Sequence, residues 1–259
     1  MYALVGVSAE LAEQLVAIET GGEDAVHQAR TRVRRLRSIL GVYRKAFDRQ
    51  EVDRMRARLR RLGHRLGDVR DLEVRARDLE GLLDAETDPE AVDAVAAMAA
   101  TAREQHDRAL EDLLRHLRSR GHRELLADLL RFAAAPPLTD AGAKHPRKVA
   151  KKGLRKAVKR VRRSDGDTLE ARHTTRKGAR RVRYAAQAVA DDFGGPAVRL
   201  ALAAEQLQDA LGDHRDLLLL ARHLREAGVP AVDALAAACE ERAEARLTGL
   251  DDRLRAVEW

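Results

Sequence analysis

A single cysteine, Cys239, stands in the 259 residues. That excludes an intramolecular disulfide and any zinc site built on cysteine, and its place in an alanine-rich helical run predicts an inert, buried thiol. Aromatic residues are nearly as scarce, with three Tyr, three Phe and one Trp. Single-stranded nucleic-acid binders stack bases on such rings, so the shortage argues against that class. No apolar stretch approaches the ~18 residues of a membrane span, and the N-terminus shows no basic segment followed by an apolar core and a cleavage site. A soluble, cytoplasmic protein with no membrane partner is expected. No Gly-rich phosphate loop of the Walker kind occurs. The histidines lack partners at metal-ligand spacing. No cofactor, no metal site and no catalytic residue are therefore expected.

What is abundant is charge and helix-forming residues. Charged side chains make up 35% of the chain. With Ala, Leu, Arg and Glu common and β-branched runs rare, the composition is that of long helices, and an all-α fold follows. Lys and Arg number 49 against 42 Asp and Glu, a net charge of +7. The excess is modest, so its distribution carries the information. Lys144 to Arg163 holds eleven Lys or Arg and no acid, whereas Glu73 to Glu111 and Asp233 to Asp252 are acidic or mixed. A polyanion would meet a few strongly positive helices, not a uniformly positive surface.

The chain is organised around His27-Gln-Ala-Arg30-Thr-Arg-Val-Arg34-Arg35-Leu-Arg37, which returns 146 residues later as His173-Thr-Thr-Arg176-Lys-Gly-Ala-Arg180-Arg181-Val-Arg183. On a helix, His27, Arg30, Arg34 and Arg37 share one narrow stripe, as do His173, Arg176, Arg180 and Arg183. An apolar stripe runs beside each: Val26, Ala29, Val33, Leu36 and Leu40 in the first, Thr175, Ala179, Val182 and Ala186 in the second. Cations at the edge of a core-facing stripe are aimed into a crevice between helices. A second signature, Leu66-Gly67-Asp68-Val69-Arg70-Asp71-Leu72, recurs 145 residues on as Leu211-Gly212-Asp213-His214-Arg215-Asp216-Leu217. Two signatures repeated in the same order are the pattern left by duplication of one helical unit. Arg70-Asp71 and Arg215-Asp216 are read as buried forks that lock helices together.

The paired His-x-x-Arg-x-x-x-Arg helices, each followed by a Gly-Asp-x-Arg-Asp-Leu junction, resemble the CHAD family, the conserved histidine α-helical domain. The resemblance covers nearly the whole chain. It implies two pseudo-symmetric antiparallel helical bundles around a basic central channel that binds inorganic polyphosphate, without catalysis. Family members often sit beside a CYTH triphosphatase domain, and nothing in this chain resembles the acidic pattern of that domain.

Along the chain, Ser8 is expected to cap a first helix ending at Gly21-Gly22, and the first His helix to run from about residue 23 to 46. Asp48 is expected to cap the next helix, Gly67-Asp68 to end it and start another, and Asp88-Pro89 to open a long helix to about residue 117. Pro136 to His145 reads as a linker between a first half, residues 1–135, and a second, residues 146–259. Pro146 opens the Lys/Arg-rich helix, and Asp167 is expected to cap the second His helix, which is expected to end near Phe193. Separate helices over about 196–211 and 213–227, then one over about 230–256, complete the expected set.

The residues expected to meet phosphate oxygens are His27, Arg30, Arg34 and Arg37; Arg58, Arg61 and Arg65; Lys148, Lys152, Arg155 and Lys159; and His173, Arg176, Lys177, Arg180 and Arg183. Protonation of the two histidines near pH 6.5 would strengthen their bonds to phosphate. The expected partner is inorganic polyphosphate or another phosphate-rich polyanion, with polyphosphate granules as a place of action. Two rival readings stand beside this one. An exposed basic helix reading duplex DNA would use the same cations, although no helix-turn-helix signature is present. A polyphosphate-processing enzyme would need carboxylates to hold Mg²⁺ beside the cations, and the basic stripes contain none.

Overall fold

A computed structural model of the chain describes residues 2–84, 86–164 and 166–259. Twelve α-helices account for most of these: α1 (Tyr2–Glu19), α2 (Ala25–Val42), α3 (Arg49–Leu83), α4 (Pro89–Leu117), α5 (Arg120–Ala134), α6 (Asp140–Lys144), α7 (Pro146–Arg163), α8 (Leu169–Gln187), α9 (Ala190–Phe193), α10 (Gly195–Glu226), α11 (Asp233–Ala245) and α12 (Leu250–Ala256). Among the described residues there is no strand, and Phe47 and Leu138 form one isolated bridge. Among the described residues no helix is long and apolar enough to cross a membrane.

Helix starts follow side-chain chemistry. Asp48 accepts from the backbone N–H groups of Gln50 and Glu51, Asp88 from that of Glu90 with Pro89 at the first helical position, and Ser119 from that of His122. Each cap satisfies donors the helix itself cannot. Two expected caps are displaced. Ser8 lies fully buried inside α1, which begins earlier, and Thr168 rather than Asp167 accepts from the Ala171 N–H.

The largest departure from expectation concerns the Gly-Asp junctions. α3 runs unbroken through Gly67-Asp68, and α10 through Gly212-Asp213. A mid-helix glycine costs about 1 kcal/mol relative to Ala. Here the buried stripe continues past it, from Leu62 and Leu66 to Val69 in α3 and from Leu207 and Leu211 to Leu220 in α10. Tertiary burial therefore keeps the helix whole. Elsewhere the chain breaks where continuity was expected: α8 stops at Gln187, and a turn with Gly249 in the left-handed region separates α11 from α12.

The main core draws on the length of the chain, from Leu4 and Leu11 of α1 through Leu36, Leu59 and Leu154 to Leu200, Leu207 and Val257. α2 packs on α1, α3 and α8; α7 packs on α8; α3 packs on α4 and α10 on α8 and α11. A second, smaller core joins the far ends of the two longest helices, with Leu79 of α3 and Leu220 and Leu224 of α10 gathered with Val95, Val232 and Cys239. The cysteine is buried there, and desolvation raises its thiol pKa, as an inert thiol requires.

Residues 136–145 are more ordered than a bare linker. Asp48 N–H donates to the Pro137 carbonyl at 2.7 Å and Thr139 N–H to that of Ala46 at 2.9 Å. Gly142 lies so close to this turn that a Cβ would stand 2.1 Å from the Ala46 carbonyl oxygen. That approach, tolerable only for glycine, fixes where α7 begins.

Candidate functional site

α2 and α8 lie side by side, with Ala29, Val33 and Leu36 of one and Ala179, Val182 and Ala186 of the other wholly out of solvent. In both helices the arginine stripe is one residue step round from the apolar one. Burying the apolar stripes against a shared core therefore turns Arg30 and Arg34 toward Arg176 and Arg180. The four guanidinium groups share one partly buried space. Burial lowers the Arg34 pKa to about 9, with Arg30 and Arg180 adding to the effect, and lowers that of Arg180 to about 10, with Arg176 the next cause. Arg30 is lowered as well, by burial first, although Asp71 opposes the shift. Arg34 and Arg180 remain cationic at neutral pH.

Carboxylates reach only one end of this row. Arg30 pairs with Asp71 at 2.9 Å and Arg176 with Asp216 at 3.9 Å. Among the described residues Arg34, Arg37, Arg180 and Arg181 form no ion pair. Gly67 and Gly212 lie beneath the paired arginines, where a Cβ would stand 3.6 Å and 3.4 Å from the guanidinium groups of Arg30 and Arg176. This is the structural use of the repeated Gly-Asp-x-Arg-Asp signature. The expected fork is also redistributed: Asp71 serves Arg30, while the buried Arg70 bonds Glu73 at 2.5 Å and Asp24 at 3.4 Å.

At its other end the row opens into a groove of about 1160 Å³ between α7, the end of α2 and the first turns of α3. Ten arginines and lysines line it, among them Arg37, Arg49, Arg56, Lys148, Lys152, Lys156, Arg160 and Arg181. The lone carboxylate among the described residues of the lining, Asp48, is engaged in capping α3. Burial lowers the pKa of Arg37, with Arg56, Arg60 and Arg181 contributing, and that of Arg181, with Arg160 and Arg56 contributing. Glycine makes these approaches possible. A Cβ on Gly178 would meet Val161 Cγ2 at 2.8 Å, and one on Gly153 would meet the Val42 carbonyl oxygen at 2.8 Å.

Of the residues expected from the sequence, Arg30, Arg34, Arg176 and Arg180 meet in the row, and Arg37, Lys148 and Lys152 line the groove. Arg155 and Lys159 are exposed outside its lining, as is Lys177. Arg58 is turned away and bonds Asp128 of α5; Arg65 lies near His116 of α4, and Arg61 is exposed on that same side. Arg183 pairs with Glu205 and lies over the Tyr184 ring at 5.4 Å. The cations that sequence reasoning missed are Arg56 and Arg60 of α3, Lys156 and Arg160 of α7, Arg181 of α8, and Arg44, Lys45 and Arg49. Arg56 and Arg60 flank the buried stripe Met55, Leu59, Leu62 on the opposite side from Arg54 and Arg58. An apolar stripe has two flanks: α3 turns Arg56 of the other flank to the groove, and α7 turns Lys156 and Arg160 to it together with the expected Lys148 and Lys152.

The histidines behave differently from expectation. Burial lowers the pKa of both, with Arg70 the next cause at His27 and Lys177 and Arg215 the next at His173. Both are neutral at pH 7. His173 Nδ1 lies 3.3 Å from Arg215 Nη1. Arginine can only donate, so Nδ1 accepts and the His173 proton sits on Nε2.

Among the described residues no group of three or more His, Cys, Asp or Glu is arranged to hold a metal ion. A family model described as "CHAD domain" matches residues 7–225. Two Mycobacterium tuberculosis proteins, designated Rv2226 in strain H37Rv and MT2285 in strain CDC 1551, are each 31% identical over 281 residues. Those alignments cover 95% of this chain and 52% of each relative, so the chain spans about half the length of the curated relatives it matches. Among solved structures, PptA from Streptomyces chartreusis superposes with a TM-score of 0.81 at 19% identity, over 97% of this chain and 96% of that one. A CHAD domain from the plant Ricinus communis gives 0.68 at 21% identity, over 98% and 90%. At those identities the likeness establishes the all-α fold.

Proposed function

The chain belongs to the CHAD family, and from that premise we propose that it binds linear inorganic polyphosphate without transforming it. The observation that carries this reading is the continuity of uncompensated charge. Arg30, Arg34, Arg176 and Arg180 lead into Arg37 and Arg181 and then into the groove of Lys148, Lys152, Lys156 and Arg160. Such a run is unfavourable in isolation and is relieved by an anion that touches many cations at once. Arginine offers forked donors and lysine a point charge, both suited to phosphate oxygens. A flexible polymer carrying one charge per phosphate fits a row of this kind.

The site offers little to a nucleobase. Tyr43 and Tyr184, the rings nearest the row, are 7% exposed and give no stacking face. Nor does the groove offer free carboxylates to phosphoryl transfer, since Asp48, which caps α3, is its only one among the described residues. The polymer lies along the space between α2 and α8, and residues 1–135 and 146–259 act as the two halves of a duplicated unit. Action in the cytoplasm, at sites where polyphosphate accumulates, belongs to the same reading.

The test is a competition titration of labelled long-chain polyphosphate against single-stranded DNA, duplex DNA and heparin at physiological salt. A K148Q/K152Q/R181Q variant is run beside the wild type. Preference for polyphosphate, with affinity at least tenfold lower in the variant, is expected. Equal binding of every polyanion would point to an unspecialised basic surface.

A further inference from the structure

The two ends of the repeat are not electrostatic copies. In the first half Arg70 donates to Glu73 at 2.5 Å, and Arg77 donates to the same carboxylate at 3.3 Å. The second-half equivalents of Arg70 and Arg77 are Arg215 and Arg222, but the equivalent of Glu73 is Leu218. Val26 and Val69 are likewise replaced by Arg172 and His214. The first half holds Arg70 and Arg77 on Glu73; the second adds Arg172 and has Leu218 in the place of that acid.

The result is a small cavity of about 190 Å³ at the start of α8, lined by four leucines, Leu218 among them, and by Arg172, His173, Arg176, His214, Arg215 and Arg222, with no carboxylate among the described residues of the lining. Its polar groups bond one another, and Glu244 lies 3.6 Å from His214 Nε2. Arg172 bonds His214 at 3.2 Å and Arg215 bonds His173 at 3.3 Å. The carboxylates nearest Arg172, Arg176 and Arg222 stay at 3.8, 3.9 and 3.5 Å, from Glu244, Asp216 and Glu226. Both Arg172 Nε and Arg176 Nε are buried with no hydrogen-bond partner among the described residues. His173 presents Nε2–H as a donor, as its bond from Arg215 dictates.

At about 30 Å³ per water, the cavity has the volume of roughly six waters. That is room for one or two phosphate groups. Arg176 belongs both to this cavity and to the central row, so the cavity lies at the end of the row away from the groove. We propose that it is an end-group site, which takes a doubly ionised phosphate and gives the row a direction. A terminal phosphate carries about −1.5 to −2 charge at pH 7, against −1 for a phosphate inside a chain. The same chemistry is offered by the end of a linear polyphosphate and by free orthophosphate or pyrophosphate. The polymer source rests on the polyphosphate reading above; the cavity's preference for a dianionic end group does not.

Calorimetric titrations with orthophosphate, pyrophosphate, linear tripolyphosphate and cyclic trimetaphosphate, which has no ends, test this. They use the wild type, L218E, L218Q and the groove variant K148Q/K152Q/R181Q. Leu218→Glu restores the carboxylate that Glu73 supplies in the first half, and Leu218→Gln controls for size and polarity. Pyrophosphate is expected to bind at the cavity about tenfold or more weaker in L218E and within about twofold of wild type in L218Q, while any binding lost in the groove variant belongs to the groove. Linear tripolyphosphate binding well above orthophosphate assigns the polymer end as the source, and equal affinities assign the free anion. Trimetaphosphate binding as tightly as pyrophosphate, or L218E matching the wild type, overturns the proposal. If pyrophosphate binds as stated but long-chain polyphosphate does not, the polymer reading fails and the end-group site stands.

Discussion

The hydroxyl of Tyr43 donates to the Ala185 carbonyl at 2.6 Å, out of contact with solvent, joining residues 142 apart in the chain. Tyr43 closes α2, and Ala185 belongs to α8 one turn beyond Arg181. The bond therefore fixes how far the two arginine-bearing helices are shifted along one another. Desolvation raises the Tyr43 pKa strongly, which keeps the donor proton in place.

Replacing Tyr43 by Phe keeps the ring and leaves the carbonyl unsatisfied. A loss of about 1–3 kcal/mol in unfolding free energy is expected from chemical denaturation. Polyphosphate affinity is expected to fall in the same variant, since the register of the row is loosened.

Two glycines in helix interiors are expected to respond in opposite directions to the same change. Gly67→Ala places a methyl 3.6 Å from Arg30, an ordinary contact, so the gain in helix propensity, up to about 1 kcal/mol, should appear as a higher Tm. Gly178→Ala drives a methyl to 2.8 Å from Val161 Cγ2. There α7 and α8 must separate, at a cost of about 1–3 kcal/mol, and Tm should fall. Thermal unfolding of both variants checks the pair.

Acid should destabilise the protein through its buried histidines. His122 is 5% exposed, its Nδ1 has no hydrogen-bond partner, and burial lowers its pKa to about 4, with His116 the next cause. In the unfolded chain the value returns to 6.5, so the unfolded state binds the proton first. The contribution is complete above pH 6.5 and is lost as pH falls through about 4, at most a few kcal/mol. His27, His173 and His214 carry shifts of the same sign. Denaturation curves between pH 7 and pH 4 should show a shallower loss in H122L than in the wild type.

Much of this was readable from residue order, and the failures have common causes. The repeat placed Arg30, Arg34, Arg176 and Arg180 together because each stripe borders its own apolar stripe on a helix that must bury it. The caps at Asp48 and Asp88 were legible from one residue and its successor. Gly67 and Gly212 read as helix ends in the sequence and are not, because a glycine that admits a neighbouring guanidinium and one that stops a helix look alike there. Arg58 was chosen over Arg56 because periodicity names the buried stripe without saying which flank meets another helix. The lowered pKa values of the two histidines come first from burial, with Arg70 at His27 and Lys177 and Arg215 at His173 adding to it, and burial by distant helices is not visible in residue order.

Salt is expected to weaken polyphosphate binding steeply. Each phosphate neutralised by Arg or Lys releases a counterion, so the logarithm of the association constant should fall linearly with that of salt concentration. Titrations between 50 and 300 mM NaCl, values set by the experimenter on the order of the physiological range, should give a shallower slope for K148Q/K152Q/R181Q than for the wild type.

The most direct measurement compares stability and affinity in R34Q/R180Q. Arg34 and Arg180 are partly buried among like charges with no ion pair among the described residues, so in the absence of ligand they cost stability. Thermal unfolding of the ligand-free variant is expected at a higher temperature than the wild type, while long-chain polyphosphate binds at least about tenfold more weakly. A variant that melts lower and binds as the wild type does would show that these arginines hold the fold together and that the polymer lies elsewhere.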